Sequence, residues 1–244
     1  MDDRVLLVTG GSAGSGAAIA RLAASEGWRI ALNHRDSAPQ AKKVADQIRQ
    51  IGGAVDIYQA DVADPHALHA MFEAIDANTP VLSGLVNNAG IVAPSSKVAG
   101  IDHARLRRMF DVNVIGAISV AREAAARMGP GSSIVNVSSA AARLGSANQY
   151  VDYAASKAAI DTFTKGFADE LARDGIRVNS LRPGIILTEI HAKGGEPDRA
   201  SRLGPAVPMG RAGTAEEVAE GILWRLSDKS SYVTGTTLDV TGGR

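Results

Sequence analysis

The 244-residue sequence contains no cysteine. That excludes disulfides, thiolate catalysis and cysteine-ligated zinc. It carries no net charge, because 26 Lys and Arg balance 26 Asp and Glu. The balance removes any electrostatic case for nucleic acid or an anionic membrane as a partner. No apolar run reaches the roughly 20 residues that span a bilayer. Asp2, Asp3 and Arg4 lead into an apolar stretch ending at Gly10 that is too short for a signal-peptide core with a cleavage site. A soluble, cytoplasmic protein is expected. Aromatic residues are also scarce, at 4%. Alanine, glycine, valine and isoleucine dominate instead, and such small side chains let helices lie close on a sheet, as in an α/β protein.

What is present is a rhythm. Short β-rich runs fall at Val5–Thr9, Arg29–Asn33, Val55–Gln59, Leu82–Asn87, Ser133–Ser138, Arg177–Leu181 and Thr237–Val240. Alanine-rich helical patterns lie between them. Several runs are apolar along most of their length, as strands covered on both faces should be. The alternation implies βαβ units and a doubly wound, seven-stranded parallel sheet. No linker or repeat divides the chain, so residues 1–244 read as one domain. The segment 188–214 breaks the rhythm with five glycine and proline residues between Gly204 and Gly213 alone. It mixes Ile190, Leu203, Val207 and Met209 with His191, Lys193, Glu196, Arg199 and Arg202. A loop of this length is either a substrate lid or a mobile surface excursion.

The run Thr9-Gly10-Gly11-Ser12-Ala13-Gly14-Ser15-Gly16 leaves the first strand and opens a helix. Three phosphate or nucleophile motifs compete for it. Gly11 to Gly16 has P-loop spacing, but Ala17 and Ala18 stand where Lys and Ser/Thr are required, which discards an NTPase. Gly10-x-Ser12-x-Gly14 matches a hydrolase nucleophile elbow, yet too little chain precedes it to build an oxyanion hole. The third reading is a dinucleotide loop, with backbone N–H groups and a helix N-terminus receiving a phosphate. A glycine-rich turn without a ligand remains open beside these.

Ligands in open α/β sheets bind outside the carboxyl ends of the strands. Unusual residues gather at that edge: Asn33-His34-Arg35, Asp61-Val62, Asn87-Asn88-Ala89-Gly90, Ser138-Ser139 and Pro183-Gly184. No acid stands at the end of the second strand before Asp36. Arg35 suits the 2′-phosphate of NADP(H) better than the free ribose of NAD(H), unless it is an ordinary surface charge.

Tyr153 and Lys157 lie one helical turn apart on a pattern whose apolar stripe is Ile160, Phe163, Phe167 and Leu171. An ammonium beside a phenol favours the phenolate, and a phenol so tuned can exchange a proton with a carbonyl or alcohol oxygen. Lys157 could equally pair with Asp161, four residues on. Ser139 could reach the same point above the sheet. Asn113 is polar on the stripe Leu106, Phe110, Ala117, Val120 and Ala124. It could hold a water that relays protons to Lys157, or bond local backbone as a core asparagine. His66 and His69 follow Pro65 in a segment that reads as an exposed helix start, and nothing completes a metal site around them.

Together these motifs resemble the short-chain dehydrogenase/reductase family, in the single-domain branch that holds 3-oxoacyl-carrier-protein reductases and glucose 1-dehydrogenases. The resemblance spans essentially the whole chain. It implies a Rossmann fold and a nicotinamide-dependent oxidoreductase that interconverts a small-molecule carbonyl and alcohol. It implies that Gly10, Ser12, Ser15 and Gly16 hold the pyrophosphate and adenosine side, with Asn33 and Arg35 beyond them and Asp61 and Val62 at the adenine. Asn88, Ala89 and Gly90 would line the cleft, and Pro183, Gly184, Ile186 and Thr188 the nicotinamide end. Ser139 would orient the substrate oxygen, Tyr153 act as acid/base, Lys157 bind the nicotinamide ribose, and Asn113 hold the relay water. A homotetramer or homodimer is implied, with the helix around Leu106–Met128 and Leu238–Arg244 as contacts. The sequence departs from the family at Ser15, where isoleucine is usual, and at Ala13, where many NADP-dependent members carry a basic residue. The Ser139–Tyr153 interval is one residue longer than in many members, which predicts a bulged loop. A dinucleotide-binding sensor without catalysis is the alternative, but it would have no need of Tyr153 and Lys157.

Overall fold

The computed structural model describes residues 4–79 and 81–244, apart from the side chains of His191 and Lys193. The readings made of Asp2, Asp3, His191 and Lys193 lie outside the described residues.

Strand and helix alternate from the start of the described chain: β1 (Val5–Val8), α1 (Gly14–Ser25), β2 (Arg29–His34), α2 (Ala38–Gln50), β3 (Val55–Gln59), α3 (Pro65–Asn78) and β4 (Leu82–Asn87). Next come α4 (His103–Phe110), a π-helical turn (Asp111–Gly116), α5 (Ala117–Ala125), β5 (Ser133–Val137), α6 (Ala141–Leu144) and α7 (Val151–Leu171). The last elements are β6 (Arg177–Pro183), α8 (Ile190–Lys193), α9 (Arg199–Leu203), α10 (Ala215–Leu226) and β7 (Thr237–Val240). The seven strands form one parallel sheet in the order β3-β2-β1-β4-β5-β6-β7. Strand order reverses between β1 and β4, which opens a crevice at their carboxyl ends. This is the Rossmann-type architecture that the strand–helix rhythm predicts.

Alternate residues of each strand feed two cores. Leu6 and Val8 of β1 face α1, α2 and α10, while Val5 and Leu7 face α3, α5 and α7. Small residues decide how closely the helices lie. The buried face of α7 is Ala154, Ser156, Lys157, Ile160, Thr164 and Ala168, and not the predicted phenylalanine stripe. Phe163 and Phe167 stack at 5.1 Å on its flank, partly exposed. Likewise Leu106 is exposed, because the π-helical turn after α4 rotates the helix face before Asn113.

The segment 188–214 is not the featureless loop its glycines and prolines suggest. It folds into α8, α9 and a 3₁₀ turn at Gly204–Ala206, with a small core of Ile185, Ala200, Val207 and Ala212. A parallel bridge between Ile186 and Gly213 closes its base. The interval between Ser139 and Tyr153 holds α6 and a turn with left-handed residues. Gly145 ends α6 in the left-handed region, and Ser146 and Asn148 also have positive φ, at 49° and 61°. His66 and His69 sit on α3, whose first turn is capped by Asp64, and no cluster of metal-ligating side chains exists among the described residues.

Candidate active site

The glycine run is a loop locked from below. Gly10 and Gly14 hold φ of +62° and +52°, a region that L side chains rarely adopt. A Cβ on Gly16 would meet Gly10 O at 2.4 Å and Asn88 Nδ2 at 2.6 Å, so only hydrogen fits there. Asn88 Nδ2 donates to Thr9 O (2.9 Å) and Gly10 O (3.1 Å). In return Thr9 Oγ1 accepts the backbone N–H groups of Asn88 and Ala89, both at 3.0 Å. Asn33 is buried beside them. Its Oδ1 accepts Gly10 N–H at 3.3 Å and its Nδ2 donates to Ala60 O at 3.1 Å, so its amide serves the scaffold of the loop. The loop delivers the N-terminus of α1, whose first turn holds no acid. That end attracts an anion through the helix dipole and free N–H groups. The Ser12 and Ser15 hydroxyls have no protein partner among the described residues, which leaves them free to donate to a phosphate. Among the described residues no histidine bonds Ser12.

One cleft runs from this loop across the sheet edge. It is lined by Gly10, Ser12, Ser15, Gly16, Asn33, Arg35, Asp61, Val62, Asn88, Ala89, Gly90, Ser139, Tyr153, Lys157, Pro183, Gly184, Ile186 and Thr188. All the predicted site residues therefore meet in one place, with the exception of Asn113. The latter is buried behind the wall. Its Nδ2 donates to Ile91 O (2.9 Å) and Ser156 Oγ (3.1 Å), and its Oδ1 accepts Ile91 N–H (2.8 Å). These bonds tie Asn113 to Ile91, four residues past the end of β4, and to Ser156 of α7. Asn113 Oδ1 and Lys157 Nζ each lie 3.3 Å from where a Cβ on Gly90 would sit, a tight fit for any larger residue.

At one end of the cleft, Arg35 is half-exposed and ion-paired with Asp36. Asp61 accepts Ala63 N–H (3.0 Å) and Arg108 Nη2 (2.8 Å). Burial pushes its carboxyl up, but these two donors outweigh it and hold it below the usual carboxylate range. His34, which sequence reasoning did not assign to the site, also lines the cleft. Its Nδ1 is buried without a hydrogen-bond partner. Desolvation lowers its pKa, against an opposing pull from Asp36. Its only sequence signal was its place at a strand end.

At the other end, Ser139 Oγ accepts Ala141 N–H at 3.1 Å and lines the cleft beside Tyr153. The Tyr153 ring is partly exposed to the cleft, yet packing around the phenol pushes its pKa up, with the nearby Ser139 hydroxyl pulling it back down. The phenolate that one-turn spacing suggests is therefore not favoured in the protein alone. Burial is the main cause, and Lys157 does not offset it. Its Nζ donates to Val137 O at 2.8 Å and lies 5.9 Å from the Tyr153 ring centroid. Burial lowers its pKa from 10.5 to about 8, with Asp161 opposing. Asp161 does not pair with it: that carboxylate accepts Arg182 Nε (2.8 Å) and Ser180 Oγ (3.1 Å). Lys157 is thus a buried amine at the cleft wall whose hydrogen-bond partner among the described residues is a backbone carbonyl.

A glycine loop at the strand-order reversal and a Ser-Tyr-Lys set in the same cleft define a dinucleotide-dependent oxidoreductase of the Rossmann class. The chain belongs to the short-chain dehydrogenase/reductase family. Residues 10–244 match the family profile described as enoyl-(acyl carrier protein) reductase. The sequence is 50% identical to uncharacterized oxidoreductase YgfF of Escherichia coli K12, over 98% of this chain and 99% of that protein. It is 39% identical to 3beta-hydroxysteroid dehydrogenase 1 of Eggerthella lenta, over 98% and 93%. A short-chain dehydrogenase from Burkholderia cenocepacia J2315, solved in complex with NADP, superposes with a TM-score of 0.92 at 32% identity, covering 99% of this chain and 97% of that one. The protein is accordingly an NAD(P)-dependent oxidoreductase acting on CH–OH and C=O groups of small molecules. No helix among the described residues is long and apolar enough to cross a membrane.

Proposed function

We propose that the protein is an NADP(H)-dependent carbonyl reductase or alcohol dehydrogenase in which Tyr153 is the acid/base. The observation that carries this reading is the continuity of the cleft: the Ser139–Tyr153–Lys157 set and the glycine loop line a single space. The residues suit a dinucleotide because the Gly16 cradle would be filled by any Cβ, and Ser12 and Ser15 offer unpaired donors there. Gly10, Ser12, Ser15 and Gly16 would hold its pyrophosphate, Asp61 and Val62 its adenine, and Gly184, Ile186 and Thr188 its nicotinamide end. The bound nicotinamide supplies or accepts the hydride. Ser139 orients the substrate oxygen, and Tyr153 donates a proton to it or withdraws one. Lys157 would hold the nicotinamide ribose, and its ammonium near the phenol would favour the phenolate. Asn113 fixes the Gly90–Ile91 corner, and a relay water there would use its backbone carbonyl and not its amide.

NADP(H) is favoured because Arg35 lines the cleft while His34, and no carboxylate, ends β2. Fluorescence titration of NADPH and NADH tests this preference. Tighter NADPH is expected, and NADH binding tenfold tighter than NADPH overturns it. Residues 188–214 serve as a substrate lid on the single domain. The protein works in the cytoplasm as a homotetramer or homodimer, with the partly exposed Phe163 and Phe167 and the exposed Leu106 and Ile115 as contact surface.

A further inference from the structure

Beyond the nicotinamide end, the cleft is walled by three segments that share no secondary structure. Ile91 and Val92 follow Gly90, Ser146 and Tyr150 precede Tyr153, and Ile190 and Arg199 come from the lid. These segments meet at one carboxylate. Glu196 Oε1 accepts Tyr150 OH at 2.6 Å and Ser95 Oγ at 2.8 Å, so a lid residue grips both body segments. From the lid itself Arg199 Nη1 (3.1 Å) and Arg202 Nη2 bond the same carboxylate. Arg199 continues the chain of contacts: its Nη2 donates to Gln149 Oε1 at 2.7 Å, and its guanidinium lies 5.0 Å from the Tyr150 ring centroid. Gln149 O in turn accepts Ser96 N–H at 2.9 Å.

The charge is secure. The hydrogen bond from Tyr150 holds the Glu196 carboxyl below the usual carboxylate range, followed by that from Ser95 and the two guanidiniums. Charge-assisted hydrogen bonds of this kind are the strong ones. None of the groups reaches the glycine loop, so the cluster organises the substrate half of the cleft and leaves the dinucleotide half alone.

We propose that Glu196 is a positioning residue that pins the lid to Ser95 and Tyr150 and thereby sets substrate affinity. The inference rests on the reading of this cleft as a reductase site. Its consequence is a division of effects. Loss of the carboxylate loosens the substrate walls, while Ser139, Tyr153, Lys157 and the glycine loop keep their own bonds. KM therefore rises and kcat and cofactor affinity stay near those of the wild type.

The test uses the full-length protein and the variants Glu196→Ala, Glu196→Gln and Tyr150→Phe. Glutamine keeps an acceptor for Tyr150 and Ser95 but loses the charge that holds the two arginines. With NADPH and either cyclohexanone or 2-octanone as probe ketone, Glu196→Ala should raise KM about tenfold or more, the loss expected for hydrogen bonds to a charged group. Glu196→Gln should recover part of that loss, and kcat should stay within about threefold in both. The dissociation constant for NADPH should be unchanged. Adding Tyr150→Phe to Glu196→Ala should cost little more than the single change, since both remove the same bond. Hydrogen exchange of the NADPH-bound proteins gives a readout that needs no turnover. Faster exchange in Glu196→Ala should be confined to residues 91–97, 146–150 and 190–206. Unchanged KM, equal falls in kcat and kcat/KM, or exchange that is unaltered or spreads to residues 9–16 would each overturn the proposal. Absence of turnover of either ketone by the wild type would count against the reductase reading, and hydrogen exchange would then decide the role of Glu196.

Discussion

Tyr153 and Lys157 are one turn apart on α7: Lys157 Nζ bonds Val137 O and lies 5.9 Å from the Tyr153 ring centroid, while the nearby Ser139 hydroxyl lowers the phenol's pKa against burial. With burial pushing the phenol up, Tyr153 keeps its proton at neutral pH in the protein alone, as an acid for carbonyl reduction must. The lysine bears the opposite burden. Its pKa falls from 10.5 to about 8 on burial, so the folded protein sheds this proton before the unfolded chain does. Below about pH 8 both states are protonated and the cost of burying the charge is fully present. Between about 8 and 10.5 the unfolded state holds more protons, and the contribution of Lys157 to stability rises with pH. Urea unfolding of wild type and Lys157→Met at pH 7.5 and 9.5 checks this. The wild type should gain stability relative to the variant at the higher pH, and a constant difference would show that the lysine is not titrating in this window.

The structural elements show how far a sequence can be read. The strands of the sheet were legible from short β-rich runs spaced between helical patterns; β3, β4 and β7 begin and end where predicted, although the edge strands β3 and β7 are only partly buried. Thr9 was counted with β1, but its hydroxyl leaves the ladder to bond Asn88 and Ala89. Helix faces were less legible. On α7 the alanines and Thr164 face the sheet because only small side chains allow the close approach, and the phenylalanines are left at the flank. The π-helical turn that buries Asn113 carries no sequence signal distinct from an α-helix. The Glu196 cluster joins residues far apart in the sequence, and none of its members marks the others. The glycine loop, by contrast, was legible at each position that matters. Gly16→Ala would drive a Cβ onto Gly10 O and Asn88 Nδ2. Backbone must move to relieve that contact, so NADPH affinity should fall more than about tenfold, with a lower melting temperature as in other overpacked sites. Wild-type affinity in this variant would show that the loop is not the phosphate cradle.

The whole molecule is a parallel sheet whose strand order reverses between β1 and β4, with the candidate site on the edge that the reversal opens. Residues from six of the seven strand ends converge there, from Gly10 after β1 to Pro183 at the end of β6, which is why single motifs were ambiguous and their order was not. Sheet topology explains the convergence but not the assembly. Sedimentation velocity at micromolar concentration should give a dimer or tetramer, since α7 and the π-helical turn leave apolar side chains uncovered, and a monomer would remove that expectation. The central claim is chemical, and Tyr153→Phe tests it most directly. The variant removes one oxygen and keeps the ring that packs in the cleft. NADPH should bind as in the wild type while the rate of NADPH oxidation with a reducible ketone falls by at least about a hundredfold. Turnover close to the wild-type rate would contradict the assignment of Tyr153 as the acid.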